Sequence, residues 1–169
     1  MTGFFAEIKK TPIGALVLMV AMVLTVLSFF VQSALPPEAS SAESDAVSDA
    51  IEPIIPSDTP VGEFVHPNIR KIGHFAEFGL LGLEAALLVF FYSKRKAIGA
   101  LCSFVCAQFI ALADETVQIF SGRGPEISDV WIDVFGFSTL FVITVCAAYA
   151  ARTVMKKIRN RINGKNNRR

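Results

Sequence analysis

The chain has 169 residues, of which 53% are hydrophobic and only 18% charged, with a formal net charge of +1 and a mean hydropathy of +0.52. A soluble globular domain usually carries about 25% charged residues, so a large soluble enzyme domain and a multi-domain architecture are both excluded. The apolar residues gather in stretches long enough to cross a bilayer, which predicts an all-α integral membrane bundle of four transmembrane helices.

The first apolar run is Ile13 to Val31, preceded by Lys9 and Lys10. At about 1.5 Å per residue it nearly matches the hydrocarbon thickness. The basic start also suits a secretory signal peptide, but the run exceeds the usual apolar core of about 7–15 residues. It is therefore read as an uncleaved anchor, within an N-terminal unit 1–35.

Residues 36–69 change character. Glu38, Glu43, Asp45, Asp49, Glu52, Asp58 and Glu63 stand among Pro36, Pro37, Pro53, Pro56 and Pro60, with no Lys or Arg up to residue 65. Like charges and prolines resist packing, so an extended acidic loop is expected. His66, beside Pro67, is given a boundary role only.

The second span runs from about Ile72 to Tyr92 and is closed by Lys94, Arg95 and Lys96. The third covers about Ala97 to Ala113 and continues as helix toward Gln118. A polar segment from Ser121 to Ser128 leads into the fourth span, about Val130 to Ala151. Residues 70–151 thus form a three-helix core, and 152–169 a basic tail. Cys102, Cys106 and Cys146 all lie in apolar stretches and are read as small buried residues rather than redox or metal groups.

With four spans, Lys9/Lys10, Lys94–Lys96 and the basic tail fall on one side. Lys and Arg mark the cytoplasmic face. Both termini are therefore predicted cytoplasmic, with the acidic loop and the Asp114–Asp129 region facing outward from a bacterial inner membrane. The tail reads as a topology signal and lipid contact; no nucleic-acid partner is expected.

Polar side chains inside spans are costly unless they face protein or water. His74 and Glu77 are three apart and share a helix face; Glu84 returns to the same stripe near mid-membrane, where an acid is expected uncharged rather than ion-paired. The third span ends with Asp114, Glu115 and Gln118, and the fourth begins with Asp129 and Asp133. Arg123 lies between these sets. If the helices bundle, the groups meet in one layer near the outer surface. Ser128 or Asp129 can cap the fourth helix, and an alternative, purely structural reading pairs Arg123 with Asp114, Glu115 or Asp129 in an ion network. Gly79, Gly82 and Gly136 would permit close helix approach. Trp131 suits the outer boundary.

These residues resemble the VanZ-like membrane protein family. Three signatures carry the likeness: Lys71-x-x-His74-Phe75-x-Glu77-Phe78; Asp114-Glu115-x-x-Gln118-x-Phe120 followed by Gly122-Arg123; and Ser128-Asp129-x-x-x-Asp133-x-x-Gly136. Departures are Asp133 where Asn is frequent, Phe78 where Tyr is common, and Ser121 where Pro often stands. The resemblance implies a small multi-span protein of the bacterial envelope; the family's named member is associated with teicoplanin resistance. It implies no reaction.

Three functional readings follow from the residues. In the first, an enzyme acts on a lipid-linked or phosphate-containing amphiphile at the outer leaflet. His74 or Glu77 would be general base, Asp114 or Glu115 the alternate acid, and Gln118, Arg123, Asp129 and Asp133 the substrate-binding set. In the second, the same layer binds or transports an antibiotic, a lipid headgroup or an ion, as a homodimer or with an envelope partner. In the third, the polar groups only hold the helices together. The cofactor stays open: one histidine and several carboxylates suit Zn, Mn or Mg, but the spacing forms no compact metal signature and three helices would have to converge.

Overall fold

The computed structural model describes residues 13–124 and 126–166. Lys9, Lys10, Arg168 and Arg169 lie outside the described residues. Among the described residues six α-helices follow in chain order: α1 (Ile13–Ser33), α2 (Pro37–Ile51), α3 (Pro60–Val65), α4 (Ile69–Tyr92), α5 (Lys96–Phe120) and α6 (Ile127–Asn166), with a 3-10 turn (His66–Asn68) joining α3 to α4. The molecule is an all-α bundle with four segments long and apolar enough to span a membrane: Ile13–Ser33, Pro60–Tyr92, Lys96–Phe120 and Ile127–Ile158.

The main packing seam joins α4 and α6, and glycine makes it close. A Cβ at Gly82 would meet the Phe137 backbone carbonyl, and one at Gly136 the Phe75 backbone carbonyl. With no side chain in the way, the two backbones come into contact and dispersion does the packing that water cannot drive inside a bilayer. Around this seam sit Phe78, Leu81, Ala85 and Ala86 of α4, Phe137 and Phe141 of α6, Ala107 and Ala111 of α5, and Phe29 of α1. Phe29 and Phe78 stack with centroids 5.0 Å apart, which fixes α1 on the bundle.

The acidic segment is not the extended loop its composition predicts. Pro37 opens α2 at the first helical turn, where a missing N–H costs no hydrogen bond. From Glu38 to Ile51 there is then no proline or glycine, so the helix has nothing to stop it. Ser40, Ser44, Val47 and Ile51 recur at steps of four, three and four residues and face a common cavity. Beyond α2 the chain folds on itself. The Glu52 carboxylate accepts from Ser57 N at 3.1 and 3.2 Å. Thr59 caps α3, its hydroxyl accepting from Gly62 N at 3.0 Å. His66 does more than mark a boundary: Nε2 donates to Ile55 O at 2.8 Å, and Nδ1 accepts from the Ser48 hydroxyl at 2.5 Å. Its ring staples α2 and the following loop to the start of the second span.

Two further expectations are corrected. Cys102, Cys106 and Cys146 are exposed, not buried. The outer surface of a membrane bundle is as apolar as its core, so hydropathy alone does not tell which way such a residue faces. Ser128 and Asp129 lie inside the first turn of α6 rather than before it, because the helix starts at Ile127. Asp129 still sits where a carboxylate favours the helix's positive end.

Candidate functional site

The polar residues come together at the end of the bundle where α1 and α5 finish and α4 and α6 begin. His74, Asp114, Glu115, Gln118, Asp129 and Asp133 are all buried there. Helix α4 supplies His74 and Glu77 one turn apart. Helix α5 supplies Asp114 and Gln118 on one face, and α6 supplies Asp129 and Asp133 on one face.

At the centre, His74 Nδ1 lies 3.3 Å from Asp133 Oδ1. Asp133 is 0% exposed, and neither of its oxygens nor His74 Nδ1 has a hydrogen-bond partner among the described residues. Asp114 completes the group: one donor atom from each of His74, Asp114 and Asp133 lies within 4.8 Å of the others. A buried imidazole with two carboxylates is a donor set capable of coordinating a metal ion.

Asp114 is held from behind. Ser33 Oγ donates to its Oδ1 at 2.5 Å and Gln118 Nε2 to its Oδ2 at 2.9 Å. The Gln118 carbonyl in turn accepts from Arg70 Nη2 at 2.6 Å. One chain of hydrogen bonds therefore runs from α1 through α5 to α4. Glu115 serves the loop: its Oε2 accepts from Glu126 N at 2.9 Å, which fixes the approach to α6.

Arg123 owes its place to the turn that ends α5. Gly122 adopts φ +81°, in the left-handed region that favours glycine. Gly122 N donates to Ile119 O at 3.2 Å and Arg123 N to Gln118 O at 3.0 Å, the paired bonds of a Schellman stop. The turn sends Arg123 toward the end of α1, where Nη1 donates to Gln32 O at 3.3 Å. Arg123 thus makes no salt bridge with Asp114, Glu115 or Asp129, so the alternative of a structural ion network is not seen at this residue. Burial and the neighbouring Arg70 hold its guanidinium below the usual arginine value, although it stays charged.

Arg123 borders a cavity of about 580 Å³ between α1, α2 and the first turns of α4. One part of the lining is polar: Gln32, Ser33, Ser40, Glu43, Ser44, Arg70, His74, Glu77 and Arg123. The other part is aliphatic: Val47, Ile51, Ile55, Val65, Ile69 and Ile72. Among the predicted site residues the cavity lining includes His74, Glu77 and Arg123, while Asp114, Glu115, Gln118, Asp129 and Asp133 stand outside it. Glu84 is also buried, about two turns deeper on the same stripe, where Thr25 Oγ1 of α1 donates to its Oε1 at 3.1 Å.

Sequence reasoning missed Arg70, Gln32, Ser33 and Thr25. For Arg70 the signal existed: it lies four residues before His74 and seven before Glu77, on the same helical stripe. The α1 residues carry no such signal, because nothing in an apolar run announces which helix it will touch.

The VanZ/LLP1 family model matches residues 14–148, most of the chain and all of the site just described. The chain belongs to the VanZ/LLP1 family. No curated protein and no solved structure matches it. The three VanZ-like signatures now have a spatial meaning: the first lines the cavity through His74 and Glu77, the second supplies Asp114, Gln118 and Arg123, and the third supplies Asp133 and the Gly136 contact.

Proposed function

We propose that this VanZ-family protein binds an amphiphile with an anionic headgroup, a phosphate or a carboxylate, in the cavity between α1, α2 and α4. One observation carries the reading: Arg70 and Arg123 border the same cavity, which has an aliphatic side as well as a polar one that includes Glu43 and Glu77, and neither arginine forms a salt bridge among the described residues. The Nε–H of each is buried without a hydrogen-bond partner among the described residues. Guanidinium forks suit phosphate and carboxylate oxygens, and the aliphatic wall suits a chain.

Orientation follows from charge. Lys94–Lys96 and the Arg152–Lys157 stretch belong to the end opposite the cavity, since α4 and α6 both run away from it. By the positive-inside rule that end is cytoplasmic, and the cavity opens toward the outer leaflet of the inner membrane.

Reaction on the bound headgroup is a second reading, favoured by His74 and Glu77 in the cavity wall. Either could exchange a proton with a headgroup clamped by the arginines. Asp114 and Glu115, outside the wall, would act through position.

The test uses purified protein in lipid nanodiscs. A long-chain monophosphate amphiphile should bind saturably, and an uncharged analogue of equal chain length should not. Arg123→Gln and Arg70→Gln should each weaken binding at least tenfold while leaving helicity intact. Equal binding of the charged and uncharged amphiphiles would defeat the headgroup assignment. Release of phosphate that depends on Glu77 would distinguish an enzyme from a binder.

A further inference from the structure

We infer that His74, Asp114 and Asp133 form a binding site for one divalent transition-metal ion of the zinc or manganese kind. Three independent features of the layer lead there.

The first is geometry. The three side chains come from three different helices, yet one ligand atom from each falls within 4.8 Å of the other two. That spread leaves room for an ion between them with modest side-chain adjustment.

The second is unsatisfied bonding capacity. Asp133 is 0% exposed and His74 9% exposed. Both Asp133 oxygens and His74 Nδ1 lack any hydrogen-bond partner among the described residues. Native structures seldom leave a buried carboxylate without a well-formed hydrogen bond; Asp133 has only the 3.3 Å contact between its Oδ1 and His74 Nδ1.

The third is charge. Asp114, Glu115, Asp129 and Asp133 are all buried in this layer. Among the described residues the only salt bridge any of them makes is that of Asp133 with His74. Arg70 and Arg123 donate to Gln118 and Gln32 instead. Taking several carboxylates out of water without a cation is strongly unfavourable, and a divalent ion supplies the missing positive charge.

The surroundings also resemble a supporting shell. Ser33 and Gln118 each donate to Asp114, and such outer hydrogen bonds orient ligating carboxylates. An imidazole in the donor set favours zinc or manganese over calcium, which takes oxygen ligands only. Because His74 also lines the cavity, an ion here would stand at its edge. With Nδ1 engaged, Glu77 would remain as the free acid–base group of the cavity wall. Metal retention is measured with no amphiphile added, so the site stands or falls apart from the amphiphile reading.

Full-length protein is purified in detergent without chelator and its metal content measured by mass spectrometry. About one equivalent of zinc or manganese is expected. Asp133→Asn and His74→Ala should lower occupancy at least tenfold, with elution volume and helicity confirming the fold. Should either variant fail to fold, wild-type protein provides the second arm. Stripping with chelator should lower its melting temperature, and Zn²⁺ or Mn²⁺, but not Ca²⁺, should restore it. Equal metal content in the variants and the wild type would overturn the site. So would a melting temperature indifferent to both chelation and re-addition of the two ions.

Discussion

Ser33 Oγ donates to Asp114 Oδ1 at 2.5 Å, so the last residue of α1 positions a carboxylate that belongs to α5. The first span is thereby part of the polar layer, not only a membrane anchor beside it. Asp114 is 1% exposed and has Gln118 as its other hydrogen-bond donor. Ser33→Ala should therefore destabilise the bundle by about 1 kcal/mol, the usual scale of an interhelical hydrogen bond in a membrane. Thermal denaturation in detergent would read this as a melting temperature lower by a few degrees. An unchanged value would mean that α1 contributes no tertiary stability through this contact.

Thr25 and Glu84 make a second link between α1 and the core, deeper in the bundle. Thr25 Oγ1 donates to Glu84 Oε1 at 3.1 Å, while Oε2 is buried without a partner among the described residues. Thr25→Val keeps the shape and removes the donor, so a loss of about 1 kcal/mol is expected. Glu84→Gln keeps an acceptor for Thr25 and removes the acid, and should be neutral or stabilising. A double-mutant cycle with Thr25→Val and Glu84→Leu would isolate the pair; a coupling of zero would show that the bond contributes nothing.

Much of this layer is legible in the sequence, for a definite reason. His74, Glu77 and Glu84 repeat on one stripe of an otherwise apolar helix, and a bilayer leaves such a stripe nowhere to face but inward. Gly82 and Gly136 mark the α4–α6 seam because a bilayer rewards close backbone contact. The rest depends on relations between segments. That Ser33 meets Asp114 is a fact of tertiary packing across 81 residues of chain. Acids and flanking prolines mask the helix α2, although Ser40, Ser44, Val47 and Ile51 already spell a helical face. Arg70 is masked by its neighbour Lys71: two adjacent cations at the start of a span look alike in sequence, and only the fold turns one of them toward Gln118 and the other toward Glu126.

The α4–α6 seam offers a contrast between glycines. At Gly136 a methyl group would meet the Phe75 backbone, with Phe75 Cα at 3.0 Å. Backbone cannot step aside as a side chain can, so Gly136→Ala should cost about 1–3 kcal/mol, the range for overpacking. Gly82→Ala should behave alike, since its methyl would press on Phe137, whose Cα is also 3.0 Å away. Gly73, in the same helix α4, would present a methyl group that meets nothing within 4 Å among the described residues. Gly73→Ala should then be neutral or stabilise by up to about 1 kcal/mol through helix propensity. Melting temperatures of the three variants test the ordering, and an equal loss at all three would sink the close-contact account.

The loop before α6 carries a pH-dependent element. The Glu126 carboxyl lies below the usual carboxylate range because the Ser128 hydroxyl donates to it at 3.1 Å and the Lys71 ammonium sits 3.5 Å away. A carboxyl depressed in the folded protein adds stability that is complete above its unfolded value, about 4.3, and is lost as pH falls through the folded value. Melting temperature should therefore decline on acidification below about pH 4.5, and Glu126→Gln should flatten part of that decline. The pair is exposed, so the difference between wild type and variant should be small and should shrink further in about 1 M salt, where screening acts within a few ångströms. The backbone bond from Glu126 N to Glu115 does not involve the substituted side chain and should survive in the variant. A pH profile identical in the two proteins at low salt would show that Lys71 and Glu126 meet without stabilising the turn.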